Sequence, residues 1–256
     1  MLHPVAFLLP PGIDPWVAPA LIGISFLASA MTGALGLGGG TLMLAAMAQV
    51  MPPAVLIPVH GLVQLGSNLG RAALMRGHVA RSLVLPFAVG SLVGIAAGAP
   101  IVGALPRSAM LILLGAFLLW SAWSPRLRPA RLPARLFYLP GALSSFCTMF
   151  VGATGFLVAA FLVPDPLTRR EIVATQAAMM TLQHALKVAA FAAMGFALPP
   201  WLPLLAAMIA AGLAGTLVGR ALLDRMPEHR FARAFKLMLA AMAIKLLHDG
   251  VVSWPE

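Results

Sequence analysis

Two stripes of polar side chains lie inside apolar segments of this sequence, and they are its best candidates for binding a ligand. The first stripe consists of His60, Gln64, Ser67, Asn68 and Arg71. Successive steps of four, three, one and three residues place these side chains on one face of a helix. Imidazole, amide, hydroxyl and guanidinium groups donate hydrogen bonds, and the guanidinium carries positive charge. This face therefore indicates a site for an anion.

The second stripe lies in a later apolar segment and is related to the first by an internal repeat. It consists of Gln176, Gln183, His184 and Lys187. A shift of 116 residues aligns positions 32–71 with 148–187 without gaps. The aligned pairs are Thr32 with Thr148, Gly36 with Gly152, Gly39 with Gly155, His60 with Gln176, Asn68 with His184, and Arg71 with Lys187. We expect the two stripes to face each other across the axis of the repeat.

Arg71 and Lys187 are the residues that most favour an anion. A cation at the centre of a membrane-spanning segment costs roughly 2.5 to 3.5 kcal/mol on insertion scales, although Arg71 could extend to the nearby interface. The seven acidic residues all lie in loops or at segment ends: Asp14, Asp165, Glu171, Asp224, Glu228, Asp249 and Glu256. With no intramembrane carboxylate to pair with these cations, a bound anion is the simplest counter-ion.

The lack of carboxylates within the segments argues against other kinds of site. It disfavours transport of Na⁺ or a metal cation through a carboxylate site, and also an intramembrane hydrolase of the carboxylate type. No Gly-x-Ser-x-Gly nucleophile motif is present, and the lone Cys147 excludes an intrachain disulfide. We expect no catalytic residue, no metal and no cofactor.

Two further roles stay open for the polar residues. Gln64, Ser67, Thr181 and Gln183 could each hydrogen-bond between helices as packing contacts instead of binding a ligand. If transport is coupled to protons, His60 or His184 would carry them, because these are the His residues well inside apolar segments.

The composition shows what kind of element must position these side chains. The chain of 256 residues is 61% hydrophobic and 9% charged, with a mean hydropathy of +0.96. These values are typical of a polytopic helical membrane protein. The net charge of +10 would suggest nucleic acid for a soluble protein, but the basic residues lie between apolar segments and form no continuous face. The lipid bilayer is the expected partner, and nucleic acid is not.

Glycines interrupt the apolar sequence at two equivalent places, Gly36-Leu37-Gly38-Gly39-Gly40 and Gly152-Ala153-Thr154-Gly155. The apolar stretches that follow, 41–51 and 156–163, are shorter than the roughly 20 residues that cross hydrocarbon. We interpret each as the return arm of a helical hairpin. The N-terminus of such an arm presents backbone N–H groups and a positive dipole end to an anion. The spacing Gly90-x-x-x-Gly94-x-x-x-Gly98, repeated as Ala211-x-x-x-Gly215-x-x-x-Gly219, instead predicts close helix packing.

The distribution of basic residues orients the chain. Of the 17 Lys and Arg, 13 lie in alternate connections, which the positive-inside rule assigns to the cytoplasm. This alternation requires each hairpin to begin and end on the same side of the membrane. The first hairpin then opens to the outside and the second to the cytoplasm, and both termini lie outside. The predicted fold is all-α: a polytopic membrane protein with two inverted-topology repeats, each a Gly-broken helical hairpin plus three transmembrane helices. Residues 1–124 form the first repeat, 125–135 a basic cytoplasmic linker and 136–256 the second repeat.

The motifs resemble those of the sulfite exporter TauE/SafE family, also described as 4-toluene sulfonate uptake permeases. The resemblance extends from about Ala20 to Leu247 and rests on Gly36-x-Gly-Gly-Gly40, His60-Gly61, Asn68-x-x-Arg71, Ala174-Thr175, Gln183-His184-x-x-Lys187, Gly195-Phe196 and Gly215-Thr-Leu-Val-Gly-Arg220. It implies secondary transport of a small anion such as sulfite, a sulfonate or a sulfoacetate-like compound. The second break departs from the pattern by having fewer glycines than the first.

We therefore expect a multi-pass carrier of the bacterial inner membrane, not an enzyme, that moves a sulfur oxyanion or organosulfonate by alternating access. The expected substrate-binding residues are Gly38, Gly39, Gly40, Thr41, His60, Gln64, Asn68, Arg71, Thr154, Gly155, Gln183, His184 and Lys187. The alternatives are an intramembrane enzyme acting on a lipid-linked phosphate, with His60 or His184 as base, and an anion channel. Nothing in the sequence indicates an oligomeric state.

Overall fold

Helices make up the regular secondary structure of the described residues. The computed structural model of the chain describes residues 14–35, 38–123, 129–222 and 228–254. The ten α-helices within them are α1 Val17–Leu35, α2 Gly39–Met47, α3 Pro53–Leu74, α4 Arg81–Ala104, α5 Arg107–Trp123, α6 Tyr138–Val151, α7 Gly155–Leu162, α8 Arg169–Ala193, α9 Leu202–Leu222 and α10 Glu228–Val252. Short 3₁₀ turns occupy Arg76–His78, Ala134–Phe137 and Pro199–Trp201. The all-α prediction is confirmed.

Length and composition identify membrane-spanning candidates among these helices. Three helical stretches of the described chain are both long and apolar enough to cross a bilayer: Arg81–Ala104, Ala134–Val151 and Pro199–Gly219. The helices α3 and α8 are also long, at 22 and 25 residues, but their polar stripes lower their hydropathy. Large apolar side chains on α4, such as Leu85 and Val93, are exposed. Together these features indicate a multi-pass membrane protein.

Helical structure is interrupted at both predicted glycine stretches. The first interruption follows α1 and ends with Gly38, whose φ is 97°, while positions 36–37 lie outside the described residues. The second begins at Gly152, which has a φ of 73° and directly follows α6. A residue with a Cβ is strained at such angles, which explains why glycine occupies both places. The helices after the breaks, α2 and α7, have only nine and eight residues, as the sequence predicts.

The long helices pack in pairs: α1 on α9, α4 on α6, α5 on α10 and α3 on α8. Glycines allow the first two pairs to approach closely. A Cβ at Gly94 of α4 would meet the backbone oxygen of Ala142 in α6, and one at Gly215 of α9 would meet that of Phe26 in α1. Phe26 and Ala142 differ by the same 116 residues that relate the two polar stripes. The close-packing prediction for this glycine pattern is confirmed.

The helices α3 and α8, which contain the two polar stripes, begin at residues with clear helix-start signals. These starts fix the residues at which each helix begins. Pro53 is the first residue of α3, where the missing N–H of proline is harmless. Thr168 and Glu171 form a capping box at the start of α8. The central pair α3 and α8 is therefore fixed at one end by local sequence and along its length by mutual packing.

Some predictions fall on residues that the structure does not describe. These residues are Gly36, Arg126, Arg128, Asp224, Arg225 and Glu256, together with the side chains of Arg220, Glu228, Arg230 and Arg233. The predicted linker 125–135 is described only from Pro129 onward.

Candidate functional site

A cavity of about 210 Å³ lies between the two helix breaks and the polar faces of α3 and α8. Most of the residues predicted for the binding site line it: Gly38, Gly40, Thr41, His60, Gln64, Asn68, Arg71, Thr154, Gly155 and His184. The structure thus brings together side chains and backbone groups that come from both halves of the sequence. The other three predicted residues, Gly39, Gln183 and Lys187, are not among the residues that line this cavity.

Gly39 belongs to the support of the first break. Its N–H donates a hydrogen bond of 3.0 Å to Oγ1 of Thr32, which itself donates to the Ala28 carbonyl at 3.0 Å. A Cβ on Gly39 would overlap with that carbonyl and with Thr32. Gly39 is therefore buried against α1 and lets α2 start close to α1.

His60 and Gln176 bind the backbone at the start of the two short helices. Nε2 of His60 lies 3.0 Å from the carbonyl oxygen of Gly40. Nε2 of Gln176 donates to the carbonyl oxygen of Gly155 at 2.7 Å. Because His60 and Gln176 are paired by the internal repeat, equivalent positions on α3 and α8 each hold the break of their own half.

Lys187 and Gln183 hold the second break from α8. Nζ of Lys187 donates to the Gly152 carbonyl at 3.2 Å and lies 3.4 Å from Oγ1 of Thr148. Nε2 of Gln183 donates to Oγ1 of Thr154 at 2.8 Å, and its Oε1 accepts from Ser144 at 3.1 Å. These two predicted ligand residues are instead bonded to protein atoms, and both are buried.

Arg71 is the predicted cation that reaches the cavity. The residue is only 9% exposed, and its Nε has no hydrogen-bond partner in the described part of the chain. The salt bridges found among the described residues involve other groups, namely Arg131 with Asp165 and Lys245 and His248 with Asp249. A buried guanidinium with an unsatisfied N–H is costly unless an anion accepts from it.

Neutral donors surround this cation on the cavity wall. Nδ2 of Asn68 donates to the Gln64 carbonyl at 2.8 Å, which fixes the amide on the polar face of α3. The N-cap residues Gly38 and Thr154 make no side-chain capping bond to α2 and α7. The first-turn N–H groups of an α-helix have no intrahelical acceptor, so these N-termini offer donors where the two breaks meet.

The two histidines predicted as proton carriers lie next to each other. The rings of His60 and His184 are 6.3 Å apart between centroids and meet edge to face, with an angle of 81° between their planes. Both residues are buried and line the cavity, and Nδ1 of each ring has no hydrogen-bond partner among the residues that the structure describes. The pair therefore brings imidazoles from the two halves of the sequence together at the cavity wall.

Several residues of the cavity wall were not among the predicted ligands: Thr32, Ser121, Ala153, Phe156, Gln176, Met180 and Leu239. Thr32 and Gln176 had a signal in the sequence, because the repeat pairs them with Thr148 and His60. Phe156 packs against Trp120 of α5 with ring centroids 5.2 Å apart. Ser121 and Leu239 come from α5 and α10, and no polar pattern in the sequence marks those helices.

No group of three or more His, Cys, Asp or Glu side chains suited to a metal ion occurs in the described parts of the chain.

Comparison with known proteins agrees with the family indicated by the sequence motifs. A model of the family described as Sulfite exporter TauE/SafE matches residues 21–246, nearly the full chain. Searches of curated proteins and of solved structures returned no match. The chain belongs to the TauE/SafE family of sulfite exporters, which implies a membrane transporter of sulfite or a related anion.

Proposed function

We propose that this protein is a secondary transporter that binds a small sulfur oxyanion or organosulfonate in the cavity between the two breaks. The observation that carries the proposal is the buried Arg71, which lines the cavity and whose Nε has no hydrogen-bond partner among the described residues. It forms no salt bridge with a carboxylate of the described residues. An anion in the cavity would supply the missing counter-charge for this guanidinium.

In this proposal each kind of group has its own task. Arg71 binds the charge, and the side chains of Gln64, Asn68, Gln176 and His184 donate to the oxygens of the anion. Backbone N–H groups at Gly40, Thr41 and Gly155 add donors from the starts of α2 and α7. Lys187 and Gln183 support the second break, so their contribution to binding is indirect.

The transport mechanism that we propose is alternating access between two inverted repeats, residues 1–124 and 136–256, joined by the cytoplasmic linker 125–135. The packing of helices between the two halves supports this mechanism. Helix α1 of the first half packs on α9 of the second, and α6, the repeat equivalent of α1, packs on α4 of the first. The cavity takes residues from both halves, as expected for a site at the interface of two repeats. His60 and His184 stay the predicted proton carriers if transport is coupled to protons.

The proposed location is the bacterial inner membrane, with the basic connections facing the cytoplasm. The expectation that the protein is not an enzyme agrees with its membership of a transporter family. An enzyme acting on a lipid-linked phosphate would need one of the two cavity histidines as its general base. An anion channel would conduct the anion without saturable counterflow exchange.

A ligand screen on the purified protein tests the proposal. Thermal unfolding in detergent is measured with sulfite, sulfate, thiosulfate, sulfonates, carboxylates and phosphate, for the wild type, Arg71→Gln and Lys245→Gln. The last variant removes an exposed cation that pairs with Asp249 at 2.9 Å, outside the cavity. A ligand that binds only the folded state raises the unfolding temperature.

We expect stabilisation by one class of sulfur anion, its loss in Arg71→Gln and its retention in Lys245→Gln. Liposomes containing the protein should then show saturable counterflow of the same anion, which a channel would not. Absence of any anion-dependent shift in the wild type would contradict the proposal. Release of phosphate from a polyprenyl pyrophosphate would favour the enzyme.

A further inference from the structure

Among the described residues, one fixed cation lines the cavity where the sequence predicts two. Arg71 lines it, but Lys187, the residue paired with Arg71 by the internal repeat, does not. Repeat-related cations therefore have different surroundings in the two halves. This difference determines how much negative charge the cavity can balance.

Lys187 is held away from the cavity on two sides. Its Nζ donates to Gly152 O at 3.2 Å and lies 3.4 Å from Oγ1 of Thr148. Its Cε packs over Gly61 of α3, where an added Cβ would lie 2.8 Å from it. In this position the amine supports the second break and is not one of the groups that line the cavity.

The remaining polar groups that the described residues place on the cavity wall are amides, hydroxyls, backbone N–H groups and imidazoles. In their neutral forms these groups donate hydrogen bonds but add no net charge. In the Born description, the cost of taking an ion out of water grows with the square of its charge. One guanidinium therefore suits an anion with one charge, since a second charge on the same anion would have no further cation beside it among the described wall residues.

Part of the cavity wall is apolar. Phe156, Met180 and Leu239 line it together with Arg71. Met180 occupies the position that the repeat pairs with Gln64, so this donor is replaced by a thioether in the second half. An apolar substituent on the anion would contact these side chains without leaving a polar atom unsatisfied.

We propose that the cavity selects singly charged anions with a small apolar substituent, such as a short alkyl sulfonate, over dianions of similar size. This inference rests on the proposed function, since it concerns the charge of the anion that the same cavity binds.

Methanesulfonate and sulfate provide the direct test, because both are tetrahedral sulfur oxyanions of similar size and they differ by one charge. Their dissociation constants are measured by calorimetry at constant ionic strength and at about pH 8, where an ordinary imidazole is neutral. We expect methanesulfonate to bind the wild type at least about tenfold more tightly than sulfate.

Two substitutions at one position test the charge argument further. Gln64→Lys adds a second cation to the cavity wall and should shift the preference toward sulfate by about tenfold or more. Gln64→Met introduces the residue found at the paired position 180 and should keep the preference for methanesulfonate. The thermal unfolding transition measured without ligand shows whether each variant is folded. If Gln64→Lys does not fold, the comparison of methanesulfonate and sulfate affinities in the wild type still tests the proposal.

The outcomes separate this inference from the proposed function. If sulfate binds as tightly as methanesulfonate, and both are lost in Arg71→Gln, charge selection is wrong while anion binding at the cavity stands. If neither anion binds the wild type and the full anion screen is also negative, both proposals are overturned.

Discussion

Lys187 donates a hydrogen bond from Nζ to the backbone carbonyl oxygen of Gly152, 3.2 Å away. The bond joins the middle of α8 to the left-handed residue at which α6 ends. Thr148 donates to the same oxygen at 2.9 Å, so this carbonyl has two donors. Because His184 lies one turn before Lys187 on α8 and lines the cavity, the break and the cavity wall are fixed by the same helix.

Gly61→Ala should disturb this arrangement. The new Cβ would lie 2.8 Å from Cε and 3.6 Å from Nζ of Lys187, so this side chain must shift from the position in which it bonds to Gly152. Alanine usually stabilises a helix relative to glycine, but overpacking here should destabilise the protein by roughly 1–3 kcal/mol. Unfolding in detergent measures the change. Gly23→Ala, where nothing lies within 4 Å of the new Cβ, is the control and should be neutral or stabilising.

A double-mutant cycle shows whether the effect of Gly61→Ala passes through Lys187. In a Lys187→Ala background the crowding partner is absent, so the same substitution should cost much less. Equal costs in both backgrounds would mean that Gly61 is required for another contact, such as its packing against Val188.

Gln183→Leu should loosen the second break. It removes the 2.8 Å bond to Thr154 and leaves that buried hydroxyl without its donor, at an expected cost of roughly 1–3 kcal/mol. Anion affinity should fall as well, because Thr154 and Gly155 line the cavity. Thr181→Val on the same helix is the control, since among the described residues the Thr181 hydroxyl bonds only to the Ala177 carbonyl of its own helix. Wild-type affinity in Gln183→Leu would contradict the supporting role.

Gly94→Ala and Gly215→Ala should destabilise the protein by similar amounts. Each new Cβ would meet a backbone oxygen of the facing helix, that of Ala142 or of Phe26, and backbone cannot rotate away as a side chain can. We expect a cost of roughly 1–3 kcal/mol for each, measured by unfolding. Gly103→Ala on α4 is the control, because its Cβ would meet only the flexible end of Met194. A large difference between the first two variants would argue against equivalent packing in the two halves.

The inverted topology predicts which connections face the outside. In a Cys147→Ala background, single cysteines replace Gly77, Ala130, Ala197 or Ser253 and are treated with a membrane-impermeant maleimide in right-side-out spheroplasts. Cysteines at 197 and 253 should react directly, whereas those at 77 and 130 should react only after permeabilisation.

Labelling of positions 77 and 197 from the same side would rule out the proposed orientation. Reaction of all four cysteines after permeabilisation is the control for accessibility, and unfolding temperatures verify that the variants are folded.

Much of the fold followed from local properties of the sequence. The interruptions at Gly38 and Gly152 were predictable because glycine tolerates a positive φ and residues with a Cβ do not. The short helices α2 and α7 followed from the number of apolar residues after each break. The side chains that share one face of α3 followed from helical periodicity alone, since they lie on a single continuous helix.

The structure brings predicted residues to the cavity wall where they belong to one continuous pattern, and the sequence misses wall residues where distant elements meet. Arg71, Asn68 and Gln64 line the cavity together, as their spacing predicts. Lys187 has the matching position in the repeat but a different partner, because the second break presents the Gly152 carbonyl to it. Ser121 and Leu239 reach the cavity from α5 and α10, whose sequences contain no sign of it.

The sequence by itself determined the helical membrane class, the two breaks, the polar faces and the family, because composition, periodicity and short motifs are properties of neighbouring residues. Only the tertiary structure decided which polar atoms are already bonded and which face the cavity. That distinction depends on distances of a few ångströms between helices far apart in the chain, such as Gln183 with Thr154. Pairing by the repeat predicted two equivalent cations, and packing made Arg71 part of the cavity wall and Lys187 part of the support.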